Sequence, residues 1–394
     1  MYRILHVIDT LGTGGAENYV VNLANKLNKE KFQVWIAYTD GRIQGIDGEA
    51  LVSKLDKNVR LVKWNPKKIG SLKSLRYFPY NIYHVISLYK IIREFNIHLV
   101  HTHQPFSAFR AWIAARVAHV PVVHNHMTII TPERQTEWLL VKHKTLAKIV
   151  DKFVNKYVAF SQCLMQDLRI KLKVNHSKIA LIYMGVDLTL YNFCQTNKHF
   201  KAKMHLDEQN PVVGVIARLY PEKGINKVLN TWPYVVREIP EARLLVVGDG
   251  PLRHQLEEMA KSLGILDSVI FTGVRHDIPE ILNIIDIYVQ TSDRPNLGLS
   301  VLEAMAVGKP IITIVQNDEE REMAEETVID GCNGFIVSNI PQEVASKIIW
   351  LIRNKKQAKE MGQASHILAE EKFNLEKHVK QVEELYQSVI ESKE

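Results

Sequence analysis

The chain has 394 residues, of which 46% are hydrophobic and 24% are charged, enough to bury two ordinary cores. No apolar stretch reaches the roughly 18 residues that a membrane-spanning helix needs. The start, Met1–Asp9, is too short and too soon polar for a secretory signal, and we interpret it as a first buried strand. Cys163, Cys194 and Cys332 lack metal-ligand spacing, so we expect reduced thiols in a cytoplasmic protein.

The net charge of +7 is distributed unevenly along the chain. Residues 1–200 contain 28 Lys and Arg against 13 Asp and Glu, whereas residues 201–394 contain 22 against 30. This asymmetry favours either a first half that faces an anionic partner or a dispersed, solvated basic surface. The basic half has no zinc-ligand pattern, no RNP-like motif and no compact basic helix with interleaved aromatic residues, so we expect no nucleic acid as partner.

In chain order, short apolar runs alternate with longer helical patterns, as is typical of parallel α/β sheets. The alternation breaks at a polar segment, residues 191–210, and then restarts, which predicts two consecutive Rossmann-like domains. The predicted strands are Tyr2–Ile8, Val34–Tyr38, Val59–Trp64, His98–His101, Val120–His124, Tyr157–Phe160, Ile179–Ile182, Val212–Ile216, Ala242–Val247, Val269–Phe271, Ile287–Gln290, Ile311–Ile314 and Phe335–Val337. The predicted helices include Asn18–Leu27, Asn81–Phe95, Ser107–Ala118, Arg134–Val150, Gln162–Leu172, Gln342–Asn354, Lys356–Glu371 and Leu375–Ser392.

Two segments of the second half suggest chemistry. In the first, Gly214–Gly224, an apolar strand is followed by Arg218 and Lys223, so the strand delivers two cations to the end of a sheet. The second, Gly298–Pro310, begins with small residues and carries Glu303 in the first turn of an apolar helix. Two fixed cations suit a diphosphate, and a nearby carboxylate suits the hydroxyls of a ribose. Together they predict a pocket for a nucleoside diphosphate joined to another group.

Each of these residues also has a purely structural interpretation. Because Arg and Lys side chains are mostly exposed, Arg218 and Lys223 also fit a solvated surface pair that follows a strand. Glu303 is an acidic residue of the kind that a helix dipole favours in the first turn. The backbone amides of Leu299 and Ser300, at the same helix start, are candidates for binding a phosphate.

The first half offers a glycine loop and a group of histidines. Gly14 and Gly15 follow the first strand, where a loop without side chains can approach a ligand closely. The loop lacks the full dinucleotide spacing and its acidic partner, which disfavours an NAD-dependent oxidoreductase. The histidines crowd two strand ends, where a mononuclear metal site is the minority interpretation. They are His101, His103, His124 and His126.

The segment Lys67–Arg93 combines cationic with aromatic side chains. Such a surface suits the headgroup region of an anionic membrane. The segment equally fits a helix that packs on its own sheet with solvated lysines. Transient membrane contact of the basic first domain is therefore one of two interpretations.

These motifs, with Gly248–Pro251 and Asp330–Gly334, resemble the retaining glycosyltransferases of family 4, and the resemblance extends over nearly the whole chain. It implies the GT-B fold, which is two Rossmann-like doubly wound domains facing across a cleft. The domains would be residues 1–190 and 211–374, with a linker over 191–210 and a last helix, 375–394, that crosses back to the first domain. It also implies a nucleotide-diphosphate sugar as donor, a glycan or lipid-linked acceptor, and neither metal nor other cofactor.

The resemblance implies roles for individual residues as well. Arg218 and Lys223 would stabilise the diphosphate, Glu303 would bind the ribose, and His126 would contact the sugar or the acceptor. Four further residues would lie beside the reacting groups or the base: Gly14, Gly15 and His103 in the cleft, with Gly273 near the nucleobase.

The sequence departs from the family pattern at one place. Pro295 stands where the family has a first glutamate, and Asn296 and Leu297 replace a Gly-Phe pair. This departure leaves the identity of the donor sugar open. Asp293, or the backbone amides of Asn296 and Leu297, are the candidates for holding the sugar instead.

The predicted activity is therefore hexosyl or N-acetylhexosaminyl transfer to a cell-envelope, polysaccharide or lipid-linked acceptor, by a cytoplasmic or peripheral membrane enzyme. Two alternatives stay open on the same fold. One is a sugar-nucleotide epimerase or hydrolase. The other is a nucleotide-sugar-binding protein that has lost transfer activity.

Overall fold

The computed structural model describes residues 1–12, 14–39, 48–64, 77–127, 152–191, 198–204, 206–293 and 298–392. These residues form two compact units. Unit 1 consists of Met1–Tyr183 together with Glu376–Glu394, and unit 2 consists of Met184–Leu375. The predicted helix Arg134–Val150 lies outside the described residues.

Unit 1 contains a parallel sheet with helices between its strands. Its strands are β1 (Tyr2–Val7), β2 (Phe32–Tyr38), β3 (Arg60–Lys63), β4 (Leu99–Thr102), β5 (Val122–His126), β6 (Lys156–Ala159) and β7 (Ile179–Leu181). The helices between them are α1 (Gly15–Lys26), α2 (Tyr77–Glu94), α3 (Pro105–Val117) and α4 (Gln162–Ile170). The strand order is β3-β2-β1-β4-β5-β6-β7, and every pairing is parallel.

Unit 2 repeats this plan with six strands. They are β8 (Val212–Ile216), β9 (Arg243–Val247), β10 (Val269–Gly273), β11 (Ile287–Gln290), β12 (Ile311–Val315) and β13 (Gly334–Ser338). The helices are α5 (Lys198–Lys203), α6 (Ile225–Glu238), α7 (Arg253–Ser262), α8 (Ile278–Ile284), α9 (Leu299–Ala306), α10 (Asp318–Ala324), α11 (Pro341–Arg353) and α12 (Lys355–Lys372). The strand order is β10-β9-β8-β11-β12-β13, again all parallel.

The central strands of unit 2 are largely apolar because helices cover both faces of a parallel sheet. In β12 all five residues are buried, and in β8 the first four are. Trp232 of α6 is completely buried against this sheet, and its indole nitrogen donates a hydrogen bond of 2.9 Å to the Ser268 hydroxyl. The continuous apolar runs in the sequence thus have a direct structural cause.

The last helix, α13 (Leu375–Glu391), packs in unit 1 although it follows unit 2 in the sequence. Its Tyr386 hydroxyl is 2.5 Å from Nδ1 of His101. Its His378 places Nε2 3.0 Å from the Tyr19 hydroxyl of α1. The helix therefore supplies buried polar partners to residues that are distant in the sequence.

Each sheet reverses its strand order once. In unit 1 the reversal lies between β1 and β4, and in unit 2 it lies between β8 and β11. Ligands of doubly wound sheets bind beyond the carboxyl ends of the strands at such a point, because the connections there diverge and leave a crevice. The topology therefore predicts one binding site in each unit.

All thirteen predicted strands are present, with ends that differ by up to two residues. The segment 191–210, predicted as a linker, contains α5 and lies within unit 2 by its contacts. The predicted domain boundaries themselves stay a prediction.

Candidate functional site

A short turn after β8 carries the two predicted cations of unit 2. Arg218 is exposed, and its guanidinium carbon is 5.1 Å from the ring centroid of Tyr220. Lys223 is partly buried and ends the single turn Pro221–Lys223. Both residues lie beyond the carboxyl end of β8, at the strand reversal of unit 2.

The same turn is tied to the end of β11. The Thr291 hydroxyl donates to the carbonyl oxygen of Lys223 at 2.6 Å, and the Asp293 amide donates to that of Glu222 at 3.1 Å. Gly224 closes the turn with a φ of +60°, and a Cβ there would lie 2.3 Å from the Thr291 carbonyl oxygen. Only glycine fits this position, because both the backbone conformation and the contact exclude a side chain.

Asp293 is held beside this turn by a buried cation. Its Oδ1 is 2.9 Å from Nζ of Lys227, which is 4% exposed, and it accepts a hydrogen bond of 3.1 Å from the Gln316 side chain. Asp293 itself is 40% exposed. Glu320 lies close by, and burial raises the pKa of its carboxyl group while the charge of Lys227 opposes that shift. The Asp293 carboxylate is therefore partly exposed, with its Oδ1 held by Lys227 and Gln316.

Helix α9 follows β11 in the chain, and Leu299 and Ser300 are its first two residues. Its N-cap, Gly298, makes no side-chain capping bond, and the first amides of a helix have no intrahelical acceptor. The Tyr288 hydroxyl is 2.9 Å from Oγ of Ser300. Burial raises the pKa of Tyr288, so its hydroxyl keeps its proton. This helix start has the polarity that suits an anion.

Glu303 lies in the second turn of α9, not in the predicted first turn, because the helix begins at Leu299, and it is partly buried. Its Oε1 accepts a hydrogen bond of 2.8 Å from the Tyr191 hydroxyl. Burial, followed by the charge of Glu303, raises the pKa of Tyr191. The carboxylate is therefore an acceptor held by a protonated phenol.

Gly273 ends β10 and is buried. Its φ is +72°, and a Cβ there would lie 3.2 Å from Nη1 of Arg253. The carbonyl oxygen of Gly273 accepts from the Gly248 amide at 2.9 Å, which joins the ends of β9 and β10. The predicted donor residues Asn296 and Leu297, and Pro295, lie outside the described residues.

The glycine loop of unit 1 lies at the reversal between β1 and β4. Gly14 is the N-cap of α1, and a Cβ there would lie 2.1 Å from the Glu17 carboxylate, whereas Gly15 has open space. Oε1 of Glu17 accepts a hydrogen bond of 3.0 Å from the Gln104 side chain, which follows β4. The loop and the end of β4 are thus connected.

Asp9 also lies at this reversal, and the sequence did not single it out. Its amide donates to the Gln104 side chain at 2.9 Å. Burial raises the pKa of its carboxyl group to about 6, although Ser107 and Arg110 act in the opposite direction. A carboxylate that directly follows the central strand is a signal that the sequence does contain.

His103 is buried and bonded within the protein. Its Nε2 is 2.8 Å from Nδ1 of His6, and its Nδ1 is 2.8 Å from Nδ2 of Asn125. His101 continues this network, with Nε2 2.7 Å from Oδ1 of Asn125. Among the described residues, His6, His101 and His103 form a group whose ligand atoms lie within 4.8 Å of one another, close enough to hold a metal ion. Burial lowers the pKa of all three imidazoles.

His126 ends β5 and is also buried, together with Asp167 of α4. Its Nε2 is 2.9 Å from Oδ2 of Asp167, whose other oxygen is 3.0 Å from Nζ of Lys171. A carboxylate at one ring nitrogen fixes the orientation of an imidazole. His126 is thus rigidly placed at the carboxyl edge of the unit 1 sheet.

Both units match known families of one class of enzyme. The family model described as Glycosyltransferase Family 4 matches residues 13–190, and the model described as Glycosyl transferases group 1 matches residues 196–366. Together they match most of the chain, which therefore belongs to the family 4 glycosyltransferases and has the GT-B fold. The predicted family is confirmed.

The individual relatives have low sequence identity to this chain, but each match extends over most of both sequences. The chain is 26% identical over 358 residues to the UDP-Gal:alpha-D-GlcNAc-diphosphoundecaprenol alpha-1,3-galactosyltransferase of Escherichia coli, covering 87% of this chain and 84% of the relative. It is 24% identical over 351 residues to the N-acetyl-alpha-D-glucosaminyl L-malate synthase of Bacillus anthracis, covering 86% and 87%. The structure of HepE from Anabaena with UDP and glucose is similar at a TM-score of 0.79 and 22% identity, covering 98% of this chain and 100% of HepE.

Two residues of the unit 2 site were not predicted from the sequence. Tyr191 falls in the segment predicted as a linker, and Lys227 falls within a helix. Both reach the site through contacts distant in the sequence, with Tyr191 and Glu303 separated by 112 positions. No local motif marks either of them.

Proposed function

We propose that this glycosyltransferase moves a sugar, with retention of configuration, from a nucleoside diphosphate bound by unit 2 to a glycan or lipid-linked cell-envelope acceptor bound by unit 1. The observation that carries the proposal is the arrangement at the strand reversal of unit 2. Arg218 and Lys223 follow β8, Asp293 follows β11, and Glu303 lies in the helix after that strand. The names of the relatives, which include a UDP-galactose transferase acting on a diphosphoundecaprenol-linked sugar, support the same classes of donor and acceptor.

The proposed chemistry is the departure of a nucleoside diphosphate. As the bond between sugar and phosphate breaks, negative charge grows on the diphosphate, and fixed cations stabilise it without reorganising. Arg218 offers a planar fork for two phosphate oxygens, and Lys223 offers a compact second charge. Each contributes on the order of 3 kcal/mol to the transition state once the bound substrates have displaced water from the site. The amides of Leu299 and Ser300 add donors at the helix start.

Retention requires the acceptor to attack the face from which the diphosphate leaves. We propose an oxocarbenium-like state in which the leaving phosphate accepts the proton of the acceptor hydroxyl. Glu303 holds the ribose, and Asp293, fixed through Oδ1 by Lys227 and Gln316, binds hydroxyls of the donor sugar. His126, oriented by Asp167, contacts the acceptor bound by unit 1.

Arginine and lysine substitutions test this site. We expect Arg218→Ala and Lys223→Ala each to lower the turnover of a nucleotide sugar more than tenfold, because each removes charge that counters the leaving group. Arg237→Ala, an exposed arginine of α6, is the matched control and should keep wild-type turnover. Product analysis with and without acceptor measures transfer directly. Wild-type turnover in both site variants would overturn the assignment.

We also propose that α2 contacts an anionic membrane. The described part of this helix exposes Ile82, Ile86, Lys90 and Arg93, which lie three or four residues apart and so share one face. Ile82 and Ile86 are 46% and 47% exposed, and Tyr83 beside them is 50% exposed. An apolar stripe that continues into cations suits the boundary between acyl chains and anionic headgroups. None of the described helices has the length and apolarity to cross a bilayer.

Vesicle flotation tests the membrane proposal. We expect the protein to float with phosphatidylglycerol vesicles at low salt but not with phosphatidylcholine vesicles, because the cations need an anionic surface. The double variant Ile82→Ser/Ile86→Ser should reduce the bound fraction at least threefold. Ile367→Ser, which alters an equally exposed isoleucine of unit 2, should not. If the wild-type protein stays at the bottom of the gradient with anionic vesicles, the proposal fails.

A further inference from the structure

The hydroxyl of Tyr191 is directed at the carboxylate proposed to bind ribose. Its oxygen is 2.8 Å from Oε1 of Glu303, a normal distance for a hydroxyl that donates to a carboxylate. Tyr191 is partly buried, and its raised pKa keeps the proton that the bond requires. The transfer chemistry proposed above gives Tyr191 no direct role, so its contact with Glu303 indicates a different one.

A capped turn places Tyr191 there. The Asp187 side chain accepts hydrogen bonds from the Thr189 amide at 3.0 Å and the Thr189 hydroxyl at 2.6 Å. The Tyr191 amide donates to the Asp187 carbonyl oxygen at 3.0 Å, which closes one helical turn. Just before the turn, the Val186 amide donates to the Phe373 carbonyl oxygen at 2.7 Å. The tyrosine is therefore held by an anchored backbone as well as by its hydroxyl.

A glutamate side chain has three rotatable bonds, and fixing it costs conformational entropy when a ligand binds. A donor that already holds one oxygen reduces this cost, because the carboxylate is oriented before the ligand arrives. An ionised carboxylate accepts about four hydrogen bonds in all, so the bond from Tyr191 at Oε1 and bonds from two ribose hydroxyls together stay within its capacity. The Tyr191 hydroxyl and a ribose can thus bind Glu303 at the same time.

We propose that Tyr191 is a positioning residue that orients Glu303 toward the 2′- and 3′-hydroxyls of the donor, and that it thereby makes unit 2 selective for ribonucleotides over 2′-deoxyribonucleotides. The inference rests on the proposed function, since it needs a nucleoside diphosphate in unit 2. A purely structural tyrosine would affect both classes of nucleotide equally, because its packing does not sense the 2′-hydroxyl.

Calorimetric titration of the full chain tests the inference, with UDP, GDP and ADP and the 2′-deoxy form of each as probes. We expect the wild-type protein to bind its preferred ribonucleotide roughly tenfold more tightly than the deoxy form, since the deoxy form lacks one of the hydroxyls that donate to the carboxylate. Tyr191→Phe should reduce this ratio to about threefold or less, and Glu303→Gln should do the same. The double variant should have the same ratio of ribonucleotide to deoxyribonucleotide affinity as Glu303→Gln alone, because the tyrosine acts through the glutamate.

A matched variant and a stability measurement complete the test. Tyr234→Phe removes a hydroxyl of unit 2 that accepts a hydrogen bond from Gln342 instead of contacting Glu303, and it should keep the wild-type ratio. Thermal unfolding of all variants should show midpoints within a few degrees of one another. A Tyr191→Phe protein that is folded and keeps the full ribose preference would overturn the inference and leave the proposed function intact. A wild-type protein that binds none of the six nucleotides would overturn both.

Discussion

At the scale of single residues, Gly224 sets the spacing between two strand ends. Its left-handed backbone lets the Lys223 turn approach Thr291 so closely that a Cβ would meet the carbonyl oxygen at 2.3 Å. The two bonds from Thr291 and Asp293 to this turn depend on that approach. The position of the Lys223 cation relative to the Asp293 carboxylate is therefore a consequence of one missing methyl group.

Gly224→Ala should destabilise unit 2 by more than the backbone strain alone. Alanine at a positive φ costs about 1–2 kcal/mol, and the contact with Thr291 adds to this cost. Gly264→Ala is the matched control, because Gly264 also has a positive φ, +68°, but has open space around its Cβ position. Urea unfolding should show the larger loss for Gly224→Ala. Equal losses for the two variants would contradict the steric argument.

The sequence alone indicated part of the candidate site. Arg218, Lys223 and Glu303 could be proposed because each follows a recognisable strand or helix start, where side-chain type and position carry the signal. Tyr191 and Lys227 could not, because their roles depend on contacts with Glu303 and Asp293 that only the folded chain creates. Asp293 was proposed from its position, and its fixed oxygen became visible only in the structure.

At the scale of elements, α13 ends an ordered chain of buried hydrogen bonds in unit 1. A neutral imidazole donates from one nitrogen and accepts at the other, so the direction of each bond sets the next. With the Tyr386 hydroxyl donating to His101, the bonds run on through Asn125 and His103 to His6. A proton added to Nδ1 of His103 or of His6 would place two donors face to face in this chain. The hydrogen bonds therefore favour neutral His103 and His6.

Unit 1 should lose stability as the pH falls below about 6.5. Burial lowers the pKa of His6 and His124 to about 3 and that of His378 to about 4, and it lowers the pKa of His101 and His103 well below the ordinary value. The unfolded chain binds protons at these residues near pH 6.5 while the folded unit does not, so stability falls as the pH falls. A single histidine with a folded-state pKa of about 3, such as His6 or His124, contributes a loss on the order of 2 kcal/mol by pH 5.

Urea unfolding followed by circular dichroism between pH 7.5 and 5 measures this effect. Unit 2 provides an internal reference, because none of its described histidines is buried. We expect the transition of unit 1 to move to lower urea concentration while that of unit 2 moves little. A unit 1 midpoint that does not change over this range would contradict the assignment of neutral buried histidines.

Elements were easier to predict than their ends. Apolar runs such as Val212–Ile216 and Ile311–Ile314 are buried on both faces, so their composition alone indicates a central strand. Ends depend on local capping: α3 begins at Pro105, two residues before the predicted start, because proline is favoured at a first helical position. The reversal of strand order, which locates both candidate sites, cannot be predicted from apolar runs, since they do not encode which strands become neighbours.

At the scale of the whole molecule, unit 1 is assembled from the two ends of the chain. Deleting residues 376–394 should unfold or strongly destabilise unit 1, because Tyr19 and His101 would lose the partners His378 and Tyr386 in a buried environment. Unit 2 keeps its sheet and its candidate site, so nucleotide binding should survive. Hydrogen exchange of the truncated protein, with and without nucleotide, measures the loss of structure in unit 1 and the binding by unit 2. A chain ending after Glu391 is the control. Protected amides in the unit 1 sheet of the truncated protein would refute the expectation.

The late position of Tyr386 in the chain has a consequence for biosynthesis. A ribosome completes the strands of unit 1 by Tyr183 but reaches Tyr386 roughly 10–40 s later, at ordinary elongation rates of about 5–20 residues per second. During that interval the nascent sheet lacks its closing helix, while unit 2 acquires all of its own residues first. We therefore expect unit 1 to complete its packing only after the residues of unit 2 have been synthesised, although unit 1 comes first in the chain.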